Sequence, residues 1–299
     1  YLVKTLKKLC RKKMNKSLEQ LTNQSGSPYL IAEIGINHNG DISIAKKLID
    51  AANACDWHCA KFQKRDPDIC VPSHQKSIQR NTPWGKMSYL DYKHKVEFNK
   101  TEYNIIERYC DGRIPWTVSV WDLNSLSFIQ NYEVPFIKIP SALITNLELI
   151  EEASKTKIPI IISTGMSDWN IVDSAVNSLE KFSSDYAILH CNSTYPAPEN
   201  ELNLNVISAM IDRYDCIIGY SGHEYDLEPS VLAVSLGAKI IERHITLDHN
   251  MWGTDHKSSL EVHAMGLLQK RLKNINLMLG SSEKYITESE KIVMKKLRG

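Results

Sequence analysis

From residue 29 onward the chain alternates short apolar runs with longer stretches that carry apolar residues at helical spacing. Eight runs rich in β-branched and aromatic residues read as buried strands, at 29–34, 58–62, 116–120, 136–139, 158–162, 186–189, 216–218 and 239–242. Asp41 is a candidate cap for the helix after the first of them, 101–110 is helical, and a further helix begins near Leu123. Pro229 can open a helix, because a first-turn residue needs no N–H partner, and Gly237 can close it. A final helix is predicted over 259–279, ending at Gly280, and Thr287 with Glu290 has the form of a capping box for a short terminal helix. Eight strands alternating with helices over this length predict an α/β fold, a (β/α)8 TIM barrel. An open doubly wound sheet is the alternative, disfavoured because G-I-N-H-N-G after the first strand is not the G-x-G-x-x-G fingerprint.

The same pattern divides the chain into a basic N-terminal arm (1–27), a catalytic barrel (28–280) and a C-terminal helix or linker stub (281–299). The arm carries Lys4, Lys7, Lys8, Arg11, Lys12, Lys13 and Lys16 without the apolar core of a secretory signal. It is expected to pack outside the barrel or to form a mobile arm. Residues 64–100 interrupt the alternation with Pro67, Pro72, Pro83 and Gly85 and read as an irregular insertion. A long structureless loop in a compact domain is usually functional, so this one is expected to close over the site. Composition adds exclusions. A net charge of +1 gives no case for a nucleic-acid partner. No apolar run approaches the roughly 18 residues of a membrane span. Seven scattered cysteines without a CxxC pair point to a reducing, cytoplasmic setting.

In such a barrel the chemistry gathers at the C-terminal ends of the strands. Those ends offer, in order, Glu33, Asn37 and His38; Lys61 and Gln63; Ser119 and Asp122; Lys138 and Ser141; Ser163 and Thr164; His190, Asn192, Ser193 and Tyr195; Ser221 and His223; and Glu242, Arg243 and His244. Taken singly, most such residues are helix caps or satisfied polar groups; eight polar ends around one rim are harder to dismiss. Lys61 and Lys138 lie within apolar runs, point inward, and therefore need an anion, either a substrate or a carboxylate such as Glu33. Lysines with short hydroxyls suit a phosphate or carboxylate. His223 and His244 follow two strands that a right-handed crossover makes parallel neighbours, so two imidazoles meet at one end of the sheet, a seat for a divalent metal. The chemistry read from residues alone is metal-assisted catalysis on a small phosphorylated anion.

Several motifs in fixed order sharpen this: A-E-I-G-I-N-H-N-G (32–40), K-F-Q (61–63), T-P-W-G-K-M-S-Y-L-D-Y-K (82–93), K-I-P-S-A (138–142), S-T-G-M (163–166), H-C-N-S-T-Y-P-A-P (190–198), G-Y-S-G-H (219–223) and I-E-R-H-I-T (241–246). The set resembles the N-acetylneuraminate (sialic acid) synthase family over residues 29–299. The resemblance implies a barrel that condenses phosphoenolpyruvate with an N-acetylated hexosamine, N-acetylmannosamine or a related 2,4-diacetamido sugar, and releases phosphate. It implies His223 and His244 as ligands of Mn2+ or Mg2+, and Lys61, Ser119, Lys138, Ser141, Ser163, Ser193 and Ser221 around phosphoenolpyruvate. Gln63, Tyr195 and Asp255 would face the sugar, and Glu33 would be the carboxylate nearest the reacting carbons. Leu143 stands where the family usually has an acidic residue, and Ser193 departs from an asparagine-like position. The chain stops at Gly299, near where the family's linker to an antifreeze-like domain would begin, so a truncated or barrel-only form is expected. That domain serves the partner subunit's sugar site, which makes a homodimer compatible with the resemblance. Competing readings are another phosphoenolpyruvate-condensing synthase, a Schiff-base aldolase using Lys61 or Lys138, and a non-catalytic barrel.

Overall fold

The computed structural model describes residues 17–22 and 27–299. The basic run from Lys4 to Lys16 lies outside them. Eight parallel strands close into a barrel: β1 (Tyr29–Gly35), β2 (Cys59–Lys64), β5 (Trp116–Val120), β6 (Ile137–Ile139), β7 (Ile160–Ser163), β8 (Tyr186–Cys191), β9 (Ile217–Gly222) and β10 (Ile240–His244). The last strand pairs with the first, Tyr29 opposite Ile240 and Glu33 opposite His244. The predicted (β/α)8 barrel is the observed fold. Helices lie between the strands, among them α2 (Ile42–Ala54), capped by Asp41 at the Ser43 amide, and α10 (Glu228–Ser235), with Pro229 in its first turn.

Both faces of each strand are covered, which is why the runs are apolar throughout. Alternation still sorts them. Ala32, Ile34, Ala60, Phe62, Val118, Ile137, Ile160, Ile188, Ile218 and Ile241 face the helices and form the large core. Ile31, Cys59, Phe136, Ile161, Ala187, Leu189 and Ile240 face inward and fill the lower barrel. Two residues further along these strands the inward positions become polar: Glu33, Lys61, Lys138, Ser163, Cys191 and Glu242. Gly219 belongs to this packing, because a Cβ there would stand 2.5 Å from the Leu189 Cδ2 and 2.6 Å from the Ile240 carbonyl oxygen.

Three expectations are corrected. The described part of the arm does not lie outside the barrel: α1 (Leu18–Thr22) packs Leu18, 1 % exposed, into the inward cluster of Tyr29, Ile31 and Phe136. The Leu18 amide donates to Asp185 at 2.9 Å. The lower barrel is apolar up to its mouth, and an amphipathic turn covers it. The insertion is not irregular. It holds α3 (Pro67–Cys70), a hairpin of β3 (Gln79–Thr82) and β4 (Gly85–Ser88), and α4 (Tyr89–Val96). Tyr92 and Val96 of α4 pack with Ile36 and Trp252, which seats the insertion on the loops after β1 and β10. Finally, the helix predicted over 259–279 is two helices, α11 (Val262–Lys273) and α12 (Ile275–Leu279), joined at Asn274. Leu260 bridges Ile245 as extended chain and delays the start. The capping box of Thr287 and Glu290 opens α13 (Glu288–Arg298).

Leu18→Ala removes the floor's covering side chain and should cost about 2–5 kcal/mol of folding stability. Urea denaturation of the full chain measures it, and a loss below about 1 kcal/mol would mean that the floor closes without Leu18.

Candidate active site

The inward polar layer forms a belt of charge across the upper barrel. Lys61 sits between two carboxylates, pairing with Glu33 Oε2 and standing 3.6 Å from Glu242 Oε1. Lys138 lies 3.8 Å from the same Glu242 oxygen and donates to Ser163 Oγ at 2.6 Å. Ser221 Oγ donates to Glu242 at 3.2 Å. Gln63 donates from Nε2 to Glu33 at 3.1 Å and accepts from Arg65 through Oε1. All four charged groups of the barrel interior are buried.

Their surroundings separate their titration. Burial pushes the Glu33 carboxyl up, and Lys61 offsets this only in part. Burial opposes the Lys61 ammonium too, but Glu242 and Glu33 outweigh it and raise its pKa. Lys138, with one distant carboxylate, stays below the usual lysine range because burial dominates. Burial works against the Glu242 carboxylate, yet Lys138, Lys61 and the nearby imidazoles hold it low.

Above the belt lies a cavity of about 190 Å³. Glu33, Lys61, Gln63, Lys138, Tyr195, His223 and His244 line it, with the hydroxyl-bearing Ser119, Ser141, Ser193 and Ser221. Ser163 supports it from below through Lys138. Ser141 Oγ accepts the Gly165 amide at 3.0 Å, a close approach that a side chain at Gly165 would obstruct. Asp255 lines an adjoining cavity of about 310 Å³ that shares Gln63, Trp121 and Tyr195 with the first, and it is near enough to His244 for each to favour the charged form of the other.

The two imidazole ring centres are 5.5 Å apart. His223 Nδ1 faces the Asn192 carbonyl at 2.6 Å, which orients the ring and turns Nε2 toward Tyr195 OH at 2.7 Å. Burial drives His244 down to about 3, so it is a neutral imidazole, and its Nδ1 is buried without a hydrogen-bond partner. Burial opposes the His223 imidazolium, but Cys191 and the Asn192 carbonyl outweigh it and raise its pKa. In its neutral form His223 joins His244 as part of the shell of a divalent cation. No group of three or more histidine, cysteine or acidic side chains completes that shell among the described residues. The remaining ligands would have to come from substrate and water.

Other residues at the strand ends serve structure. His38 stacks on Phe98 at 3.9 Å, and burial takes it down to about 3. Asn37 donates to Ile245 O and Ser259 Oγ. Asp122 caps α6 (Leu123–Ile129). Thr164 bonds the Leu189 carbonyl, His190 the Leu202 carbonyl, and Asn192 the Thr194 amide. Arg243 points to the helix layer, where it pairs with Glu224 at 2.9 Å. Sequence reasoning named Glu242 at a strand end and quoted Cys191 and Lys93 within motifs without assigning any of them a role, and it passed over Trp121 and Arg65. The alternation Lys61, Gln63, Arg65 carried a signal for Arg65; Lys93 had none until the insertion's fold was known.

A closed barrel whose upper rim gathers buried lysines, carboxylates, hydroxyls and two imidazoles presents a site suited to a small anion. The NeuB family matches residues 48–284. N-acetylneuraminate-9-phosphate synthase of Drosophila melanogaster is 38 % identical over 258 residues, covering 84 % of this chain and 68 % of that one. N,N'-diacetyllegionaminic acid synthase of Campylobacter jejuni is 35 % identical over 267 residues, 87 % of this chain and 80 % of that one. The crystal structure of N-acetylneuraminic acid synthetase from Leptospira borgpetersenii matches with a TM-score of 0.81 at 28 % identity, covering 91 % of this chain and 93 % of that one. The chain belongs to the NeuB family, the sialic acid synthase family that its motifs resemble.

Lys61→Met leaves Glu33 and Glu242 without their shared cation and should cost about 3–5 kcal/mol of stability at neutral pH. The Glu33 carboxyl already titrates above its ordinary value. Without Lys61 that carboxyl rises further, so the penalty is complete only above the variant's pKa and is lost as pH falls through the parent's. Denaturation of parent and variant at pH 7 and pH 5 tests this; a pH-independent difference would mean that the belt is not electrostatically coupled.

Proposed function

We propose that this chain condenses phosphoenolpyruvate with an N-acetylated amino sugar, of the N-acetylmannosamine or 2,4-diacetamido type, to give a nine-carbon sugar acid and inorganic phosphate. The observation that carries the reading is the pair of buried lysines on the carboxylate-and-hydroxyl belt, directly below two imidazoles. Lys61 and Lys138 approach one anion from β2 and β6, and Ser119, Ser141, Ser193 and Ser221 add donors for its oxygens. This holds carbon 3 of phosphoenolpyruvate in line with the acceptor aldehyde, which is catalysis by positioning. When bound at His223 and His244, a divalent cation, Mn2+ or Mg2+, supplies Lewis-acid polarisation of that aldehyde.

Bond formation from carbon 3 leaves positive charge at carbon 2. The Glu33 and Glu242 carboxylates stand around the position where that charge develops, and they stabilise it as preorganised anions. Water then adds at carbon 2 and gives up a proton. Glu33 is the acceptor we assign, because it lines the cavity and burial raises its pKa, which makes its carboxylate a stronger base than an exposed one. The oxygen linking carbon 2 to phosphorus leaves with the phosphate, and the ketone forms. Gln63 and Tyr195, shared by the two cavities, face the acceptor. Six described cysteines are free, in keeping with a cytoplasmic setting, and a homodimer remains part of the proposal. No helix among the described residues is long and apolar enough to cross a membrane.

Phosphate release from phosphoenolpyruvate, assayed with a panel of N-acetylated hexosamines and Mn2+, should be acceptor-dependent, with a product of matching mass. Chelation should abolish it and Mn2+ restore it, and His223→Ala or His244→Ala should prevent the restoration. Release unchanged by chelator would remove the metal from the reading. Lys61→Ala and Lys138→Ala should each weaken phosphoenolpyruvate binding roughly 10- to 150-fold by calorimetry, the worth of a charged hydrogen bond. Borohydride with pyruvate should trap nothing; a trapped lysine would make this an aldolase.

A further inference from the structure

Arg243 is the largest fully buried side chain among the described residues, 0 % exposed, and its partner Glu224 is 1 % exposed. It sits on β10 between Glu242 and His244 but on the opposite face of the strand, behind the site rather than in it. Its register partner on β9 is Gly222, the residue before His223. Glu224 directly follows His223, and Arg243 directly precedes His244. Their 2.9 Å ion pair on the outer side therefore ties together the two stretches of chain whose imidazoles meet on the inner side, ring centres 5.5 Å apart.

Residues 223–227, between β9 and α10, belong to no helix or strand, so no ladder supplies partners for their carbonyls. Arg243 supplies two of them. Its Nη1 donates to the Asp226 carbonyl and to Ser230 Oγ, each at 3.0 Å, and its Nη2 donates to the Glu224 carbonyl. Tyr220 OH donates to Glu224 Oε2 at 2.8 Å, which holds that carboxylate against β9. The fit is close: a Cβ on Gly222 would stand 2.6 Å and 2.8 Å from the two Glu224 carboxylate oxygens. A planar fork of donors can serve a carboxylate, two carbonyls and a hydroxyl at once, which a lysine cannot do. Net stability is a weak reason to bury such a pair, because apolar residues of the same volume often do as well. What the pair adds is the shape of a loop that nothing regular defines.

Resting on the condensation reading, we propose that Arg243 and Glu224 are positioning residues for the metal centre: from behind the barrel wall they fix the His223 loop against β10, and so set the separation at which His223 and His244 share one cation. The inner side of the loop is fixed separately. Asn192 O orients the His223 ring, and the His223 carbonyl accepts the Ala197 amide at 3.1 Å. Both of those partners belong to the loop after β8, so they set the ring relative to β8. The Arg243 fork refers it to β10, where the second imidazole is.

The test titrates Mn2+ into the metal-free full chain and follows free Mn2+ by electron paramagnetic resonance, with phosphoenolpyruvate calorimetry and Tm measured alongside. Arg243→Lys, which keeps the charge but not the fork, and Arg243→Met should each weaken Mn2+ binding roughly 10- to 100-fold, the range for residues that orient metal ligands from outside. Glu224→Gln keeps the size and a hydrogen-bonding oxygen; it should weaken Mn2+ binding about 3-fold or more, and it carries the test if the Arg243 variants do not fold. The Mn2+ concentration for half-maximal turnover should rise by the same factor as the loss of binding. Phosphoenolpyruvate affinity without metal, set by Lys61 and Lys138, should stay within about 2-fold of the parent's. A pair with only a structural role would lower Tm and leave Mn2+ affinity where it was. That outcome in any folded variant would overturn the proposal and leave the condensation standing. Equal losses of Mn2+ and phosphoenolpyruvate affinity would overturn it too, because the whole barrel mouth would then have shifted. A parent that binds no Mn2+ would overturn the proposal together with the metal in the reading it rests on.

Discussion

Lys61 is the residue on which the upper barrel depends. Buried between Glu33 and Glu242, it makes possible two carboxylates that the interior would otherwise neutralise by protonation. Each carboxylate in turn steadies something else: Glu33 fixes the Gln63 amide, and Glu242 fixes Ser221 and stands opposite Lys138. Buried ion pairs add little net stability over a well-packed apolar core. A belt of this kind is therefore better understood as preorganisation. Its dipoles and charges are aligned before any ligand arrives, and the apolar layer below supplies the folding energy.

The barrel was legible because its strands are covered on both faces. Double coverage writes each strand as a continuous apolar run, and a lysine or glutamate inside such a run is conspicuous. Lys61 and Lys138 could be assigned an inward direction on that basis, and the histidines just after β9 and at the end of β10 could be placed side by side from chain connectivity. Residues after the strands were less legible. Asp122, His38 and Arg243 look as chemical in a sequence as Glu33 does, but one caps a helix, one stacks on a phenylalanine and one faces outward to Glu224. Direction off the strand decides these roles, and a change of one residue in register reverses it.

Elements whose shape is set by distant partners were not legible. The Thr82–Gly85 turn and α4 are stable because Tyr92 and Trp84 meet Trp252, far away in the chain. Local composition shows only prolines, glycine and charge. Lys93 is buried by the same packing, so its burial follows from tertiary structure alone. Leu18 is similar: nothing in a basic amphipathic stretch says that its leucine closes a barrel.

The floor has a consequence for how the chain is made. Leu18 lies ahead of every strand, yet its seat is lined by residues from Tyr29 to Ile240. On a ribosome it emerges before any strand of the barrel and finds no complete socket until β10 has been synthesised and paired with β1. The first strand waits for its outer neighbour over the same interval. During that time an apolar edge and an amphipathic turn are exposed together, a state that invites chaperone capture or pairing with another nascent copy. Closure of the ring and seating of the plug then end that exposure in a single late step.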